Sequence, residues 1–591
     1  MRLCSRVLMA AVLGGISVCA LAQGAPAGNH FPIALPSNLP MLPAAEQARM
    51  DRDLMEITIP QLHELYAKHS YTIEQVVRWY LGRIARYNAI YKPLQTVDAA
   101  GALAVARAED HADVAAKAGP LWGVPIVIKA NTAVKGLPDT DGWQGFAIEG
   151  HAFVAPKDAT VVAKLRAAGA VILGISNMPD FAASDTNRST VFGRTGNAYD
   201  VRFSPGGSSG GTVTAVTENM AVLGNGTDTG NSIRMPAGTS AVVGVFPTRG
   251  LVSIAGIAPL DWLLDNTGPI ARDVTDAAIA LDVMAGEDPL DFKTAGSAAK
   301  AQTTSGPSAS YTQFLRKDAL KGKRFGVPGF ILTTKSTPLQ PETKAMLMKA
   351  VEQLRAAGAT VVFDDDLLPN SFLAAAHKIN TNPYRRDGAS QWLHEFGPAE
   401  YKSADEYKKA TGKPLPPVFT GEAPPLEDLA AGASAMDAPP TAANAPSAAR
   451  GSQRWRNLPV QVALQSDPDA EKNYFGPQKA AIALYREAFD RFHLDGLVYP
   501  SAQMPPPDET MPQDGKLSSG PHSETGWVNA LGVPAVVVPD GFYPGGLPFG
   551  LEFSARPWHD GDMLGWAFAF EQATRLRRPP VLVESGLLPV Q

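Results

Sequence analysis

Two serines in glycine-rich turns and one lysine at the end of an apolar run are the residues here whose types and spacing could do chemistry. Lys129 closes Gly123-Val124-Pro125-Ile126-Val127-Ile128. Ser208 lies within Pro205-Gly206-Gly207-Ser208-Ser209-Gly210-Gly211, and Ser232 follows Gly226-Thr227-Asp228-Thr229-Gly230-Asn231, 24 positions further on. Cleaving an acyl bond needs a nucleophile, a group to take its proton, and donors for the tetrahedral oxyanion. The small residues Thr229 to Ser232 can turn several backbone N–H groups into one cavity, a geometry that favours an anion. A serine hydroxyl is a weak nucleophile without a base beside it. Lys129 can be that base only when neutral, and burial at the end of an apolar strand lowers a lysine pKa. Ser208 would then bridge, passing a proton from Ser232 towards Lys129 and later returning one to a leaving amine.

Other readings of the same residues are weaker. Gly206-Gly207-Ser208-Ser209-Gly210 fits G-x-S-x-G, an elbow that would make Ser208 the nucleophile, with Asp495 and then His522 or His559 downstream. Such an elbow follows a strand directly, and Arg202-Phe203-Ser204-Pro205 is poor strand material. Ser297-Ala298-Ala299-Lys300 fits S-x-x-K but lies in a Ser/Ala/Thr/Gly-rich connection at 296–312. The ten histidines are scattered without an H-E-x-x-H, so no metal or other cofactor is expected. A non-catalytic exported binding protein is a reading of a different class. It leaves the filled Lys129, Ser208 and Ser232 positions without a purpose.

The N-terminus reads as a signal peptide spanning 1–22. Arg2 and Arg6 precede an apolar stretch from Val7 to Val18, and Ala20-Leu21-Ala22 forms a small-x-small cleavage signature. That stretch is too short for a permanent membrane anchor. Cys19 raises a lipoprotein alternative, which bulky Val18 disfavours. A periplasmic or secreted location is expected. Cleavage would remove both cysteines, which excludes disulfides and thiolate chemistry, and would move the formal net charge from −6 to −8. That balance argues against nucleic acid as a partner.

The catalytic candidates need elements to hold them. Thr72-Ile73-Glu74-Gln75 is a capping box opening an amphipathic helix over 72–87. An alanine-rich helix over 98–117 follows, then a strand at 124–128. Helix 159–168, stopped by Gly169, leads to a strand at 171–174, and helix 341–357 to a strand at 360–363. Fully apolar strands alternating with helices indicate an α/β layered fold with a buried sheet. Residues 23–591 are read as one domain. A Pro/Ala-rich surface insertion falls at about 411–453. Trp392, Phe396, Tyr401 and Tyr407 just before it are candidates for substrate contact.

These motifs resemble the amidase signature family over most of the mature chain. The lysine strand, Ala170 to Pro179, the serine-glycine block and the Gly-Thr-Asp-Thr-Gly block carry the likeness. Asp495 to Pro500, Asn529 to Ala535, Gly546 to Gly550 and Phe570 to Thr574 extend it. The spacings, with Tyr474-Phe475-Gly476, look most like the peptide amidase branch. The resemblance implies a mixed central sheet flanked by helices on both faces. It also implies hydrolysis of a linear amide to a carboxylic acid and ammonia or an amine. Ser232 is then the nucleophile, Ser208 a serine preceded by a cis peptide, and Lys129 the base. Thr229, Gly230 and Asn231 line the oxyanion hole, supported by Ser209, Asp228 and Arg234. Ala130 stands where an aspartate usually follows the lysine, Asn231 replaces a common glycine, and Gly238-Thr239-Ser240 also departs from the pattern. The expected partner is a small-molecule amide or peptide amide. The tRNA-dependent amidotransferase component that shares the signature fits less well with export and negative charge.

Overall fold

The capping box forms as read. Thr72 Oγ1 accepts from the Gln75 N–H at 3.1 Å, and Gln75 Oε1 accepts from the Thr72 N–H at 2.9 Å. The helix runs Ile73–Tyr91, one turn beyond the expected end, before Lys92 adopts a left-handed conformation. Asn88 explains the extension, because its carboxamide bonds both the N–H and the carbonyl of Leu94 and so fixes the turn into the next strand. The alanine-rich helix is shorter than expected, at Ala99–Asp110. Its last residue turns its carboxylate onto the Ile73 and Glu74 amides at the start of the neighbouring helix, where negative charge is favoured.

The computed structural model describes residues 42–112, 119–301, 310–335, 337–421, 460–510 and 520–583. The expected signal segment at 1–22, and the expected insertion beyond Gly421, lie outside the described residues. Within the 296–312 connection, Ser297–Lys300 forms a short helix.

The strands are β1 (Leu94–Val97), β2 (Val124–Lys129), β3 (Ala170–Ser176), β4 (Arg188–Ser189), β5 (Gly193–Arg194), β6 (Leu223–Asp228), β7 (Val243–Phe246), β8 (Asn266–Ala271), β9 (Arg324–Pro328), β10 (Thr360–Asp364), β11 (Gly496–Pro500), β12 (Ala535–Phe542) and β13 (Pro548–Ser554). β4 and β5 pair only with each other. The other 11 form one sheet in the order β1-β3-β2-β6-β8-β7-β12-β13-β11-β9-β10. It is mixed: β3, β2 and β6 run parallel, as do β11, β9 and β10, while the middle strands are antiparallel. Every residue of β2, β3 and β6 is buried, so both faces there are covered.

This register positions the chemistry. β2 and β6 lie side by side and parallel, with Ile126 opposite Leu223, so Lys129 and the turn after Asp228 emerge at the same edge. Carboxyl ends of parallel strands are where α/β sheets place their sites.

Trp392, Phe396, Tyr401 and Tyr407 are core residues, not substrate contacts. All four are buried. Trp392 stacks on Phe153 at 4.6 Å, and the Tyr407 hydroxyl donates to the Gly145 carbonyl at 2.7 Å. Phe419 packs edge-on against the same cluster. The apolar surface of Phe146 and Phe153 draws these rings inward, which their polar neighbourhood in the chain conceals.

Thr72→Ala should cost about 1 kcal/mol by deleting the cap. The expected readout is a lower urea midpoint with unchanged slope and unchanged turnover. An unaltered midpoint would show that the cap contributes nothing.

Candidate active site

Lys129 is wholly buried at the end of β2. Its Nζ lies 2.7 Å from Ser208 Oγ, 2.9 Å from Ser209 Oγ, 2.8 Å from Thr227 Oγ1 and 3.3 Å from the Thr227 carbonyl. Its main-chain N–H is held by Asn225 Oδ1. Every side chain touching the amine is a hydroxyl, and hydroxyls donate or accept as needed. The cage therefore serves both the neutral and the protonated amine. Among the described residues no carboxylate comes within ion-pair distance of it. Burial pushes the Lys129 pKa down from 10.5 to about 7, against the opposing pull of Asp228, Asp141 and Asp265.

Ser208 follows a cis peptide bond from Gly207 and is also buried. The turn that carries it leads into a helix at Gly210–Thr217. Gly207 has no room for a side chain, because a Cβ there would meet the Thr186 carbonyl oxygen at 2.5 Å and that of Ser184 at 2.9 Å. Ser209 fastens this turn to the end of β6, its hydroxyl lying 3.2 Å from the Thr227 carbonyl and 3.3 Å from its N–H.

The second serine turn folds back on the first. The Ser209 N–H donates to the Ser232 carbonyl at 3.2 Å. The backbone N–H groups of Thr229, Gly230, Asn231 and Ser232 donate to no acceptor among the described residues. The direction in which Gly230 would carry a Cβ is open space. Ser232 is 6% exposed, where Lys129 and Ser208 are fully covered. The turn thus carries a slightly exposed hydroxyl next to donors that are unspent among the described residues.

A buried polar network holds it in that shape. Asp228 Oδ2 accepts from the Ile233 N–H at 2.9 Å and pairs with Arg234 Nε at 3.1 Å. Arg234 Nη1 pairs with Glu552 at 2.7 Å, and Nη2 reaches Asn529 Oδ1 at 2.5 Å and the Gly230 carbonyl at 3.0 Å. Burial alone would lower the guanidinium pKa. Asp228 and Glu552 outweigh it and keep the group charged. Thr229 Oγ1 donates to Asp265. Sequence reasoning missed Thr227, Asn225, Asp265 and Glu552, and gave Asn529 no role. Glu552 left one trace, a single carboxylate between Leu551 and Phe553 in a fully buried strand.

The residues of the G-x-S-x-G alternative do not assemble. Asp495 pairs with Lys323 at 2.8 Å and His559 with Asp562 at 3.0 Å. His522 faces Asp185 at 3.4 Å, and the hydroxyl of Ser208 is taken by Lys129. Phe203 makes only an isolated bridge, to Asp508, so no strand precedes the turn. Lys300 of the S-x-x-K match bonds the Ala295 carbonyl.

A cavity of about 650 Å³ is lined by Phe330, Leu373, His377, Ser523, Glu524 and Trp527 among others, and its lining includes none of Lys129, Ser208 or residues 229–232. Gly526, also in its wall, lies against the Gly230 carbonyl, 3.8 Å from where a Cβ would stand. Arg234→Met should destabilise the fold by about 3–5 kcal/mol, because it leaves Asp228 and Glu552 buried without a counter-charge. Chemical denaturation checks this, and a loss under 1 kcal/mol would overturn it.

The amidase family matches over residues 75–409. A glutamyl-tRNA(Gln) amidotransferase component of Roseiflexus castenholzii is 32% identical over 550 residues, covering 90% of this chain and 99% of the relative. The native peptide amidase of Stenotrophomonas maltophilia superposes with a TM-score of 0.68 at 26% identity, covering 89% of this chain and 99% of that one. The corresponding glutamyl-tRNA(Gln) amidotransferase component of Thermotoga maritima shares the fold, with a TM-score of 0.62 at 23% identity, covering 92% of this chain and 100% of that one. With its strand-end lysine and its two serine turns, the chain belongs to the amidase family and is an amide hydrolase of the amidase signature type.

Proposed function

We propose that the chain is an exported hydrolase of small linear amides that works through an acyl-enzyme on Ser232. One observation carries this reading: Lys129 Nζ sits 2.7 Å from Ser208 Oγ in a cage of hydroxyls, with a pKa brought near neutrality. Ser232 Oγ attacks the carbonyl carbon while its proton passes to Ser208 Oγ, whose own proton passes to Lys129 Nζ. The oxyanion that forms is held by the N–H groups of Thr229, Gly230 and Asn231. As the C–N bond breaks, Ser208 returns a proton to the departing nitrogen and is resupplied by Lys129. Water then attacks the acyl-enzyme through the same relay, releasing the acid and restoring Ser232.

The likeness to a peptide amidase supports a peptide amide or another amide of small-molecule size as substrate. The name of the amidotransferase relatives supports a second reading, in which the chain works on glutamyl-tRNA as one component of a larger enzyme. The net charge of −6 favours the first, since nucleic acid repels a negative surface. Hydrolysis of a peptide amide by the purified chain, without tRNA or ATP, separates the two. The signal-like residues 1–22 support export, and N-terminal sequencing of the secreted product should begin at Gln23.

Ser232→Ala and Lys129→Ala should each lower kcat/KM by about three or more orders of magnitude. A fluorophosphonate should modify Ser232, and an adduct on Ser208 instead would exclude this assignment. The relay needs Lys129 neutral in the free enzyme, so kcat/KM should rise with pH through about 7 and level off above it. Folding also depresses this pKa, so the unfolded chain binds one more proton than the native one between about 7 and 10.5. Stability should therefore gain about 1.4 kcal/mol per pH unit from this group across that window. Lys129→Met should lack that increment, as read from denaturation midpoints at successive pH values.

A further inference from the structure

The side chain of Asn231 makes a cross-chain contact. Its Nδ2 donates to Asp185 Oδ1 at 3.2 Å and to Ser523 Oγ at 3.0 Å. Asp185 lies on the segment whose Ser184 and Thr186 carbonyls back Gly207, immediately before Ser208. The other oxygen of Asp185 faces His522 Nδ1 at 3.4 Å. Gly520 is pressed so closely on Asp185 that a Cβ would meet its carbonyl oxygen at 2.6 Å. Ser523 contacts Thr525 Oγ1 at 3.3 Å, and the Thr525 carbonyl accepts from Arg234 at 3.3 Å. Three separate pieces of chain, 184–187, 229–232 and 520–525, are therefore joined through one carboxamide.

We infer that Asn231 is a positioning residue: its carboxamide braces the oxyanion turn against Asp185 and Ser523 and so holds the donors of residues 229–231 at a fixed distance from the Ser208 turn. The inference rests on Ser232 being the nucleophile. The Thr229 hydroxyl on Asp265, the Gly230 carbonyl under Arg234 and the Asn231 carbonyl on the Met235 N–H also hold the turn, but the Asn231 carboxamide is what ties it to Asp185 and Ser523. Gly230 has open space where a side chain would be, and the four N–H groups of the turn make no bond among the described residues. Asp228 and Arg234 hold its two ends, and Asn231 lies between them. A free turn would have to order its dipoles during the reaction, whereas a braced one has them aimed beforehand. The effect belongs to the transition state, where the oxyanion exists, and not to binding of the uncharged amide. Asp185 serves as an acceptor here, so an asparagine in its place can still accept through its own carbonyl oxygen.

The test uses the full-length enzyme on an amide and on its matched p-nitrophenyl ester, with fluorophosphonate labelling as a second readout. Asn231→Ala and Asp185→Ala should each lower kcat about 10- to 100-fold with KM within about 3-fold. The double variant should be no worse than the poorer single one, because both changes cut the same brace. Asp185→Asn should recover to within about 3-fold of wild type. The rate of fluorophosphonate labelling should fall in parallel with kcat, with the adduct still on Ser232. Independent, multiplicative effects of the two alanine changes would overturn the brace, as would a rise in KM with unchanged kcat. Failure of the adduct to form on Ser232 in the wild-type enzyme would instead overturn the nucleophile assignment. If an alanine variant does not fold, Ser523→Ala, which removes only the second contact, should give a smaller loss in kcat, and no change there would count against the brace.

Discussion

Everything at this site depends on an amine whose proton is easier to lose because the group is buried. Shifting a lysine from 10.5 to about 7 corresponds to roughly 5 kcal/mol of preference for the neutral form, at about 1.4 kcal/mol per unit. No single neighbour produces that preference. It comes from β2, buried along its whole length, which carries Lys129 to a position where only hydroxyls and a carbonyl reach Nζ. A carboxylate in that cage would raise the pKa of the amine and keep it protonated at neutral pH, with no room for another proton. The choice of Ser208, Ser209 and Thr227 as neighbours is therefore a chemical requirement as much as a packing one.

The charges the site does contain are set one layer further out. Asp228, Arg234 and Glu552 shape the Ser232 turn from behind, and the pull of Asp228 on Lys129 is outweighed by burial. The resulting division is clear: neutral oxygens surround the amine, and buried ions hold the frame. Two parallel strands let both layers meet, since β2 delivers the amine and β6 delivers the turn to the same edge of the sheet.

Much of this was legible in the sequence because it is local. The Thr72 capping box, the apolar run ending at Lys129 and the glycine-rich turns each write their geometry into consecutive residues. What stayed hidden is what crosses the chain. Glu552 meets Arg234 over 318 positions, and Asn529 meets it over 295. His522 gains its place only when the 520–525 segment folds against Asp185. The rings of Trp392, Tyr401 and Tyr407 misled for the same reason, because a partner such as Phe153 is invisible from their own neighbourhood. The alanine-rich helix stops at Asp110, short of its expected end, because alanine propensity gives no hint of where that carboxylate turns to a neighbouring helix.

The long reach of Arg234 carries a consequence for when the enzyme comes into being. A chain synthesised only as far as residue 500 already owns the lysine and both serines. It still lacks Asn529 and Glu552, two of the groups that gather around the guanidinium. Such a shorter chain would pair the guanidinium with Asp228 but leave it without Glu552 and Asn529. The frame behind the Ser232 turn is thus completed only by the last strands of the sheet.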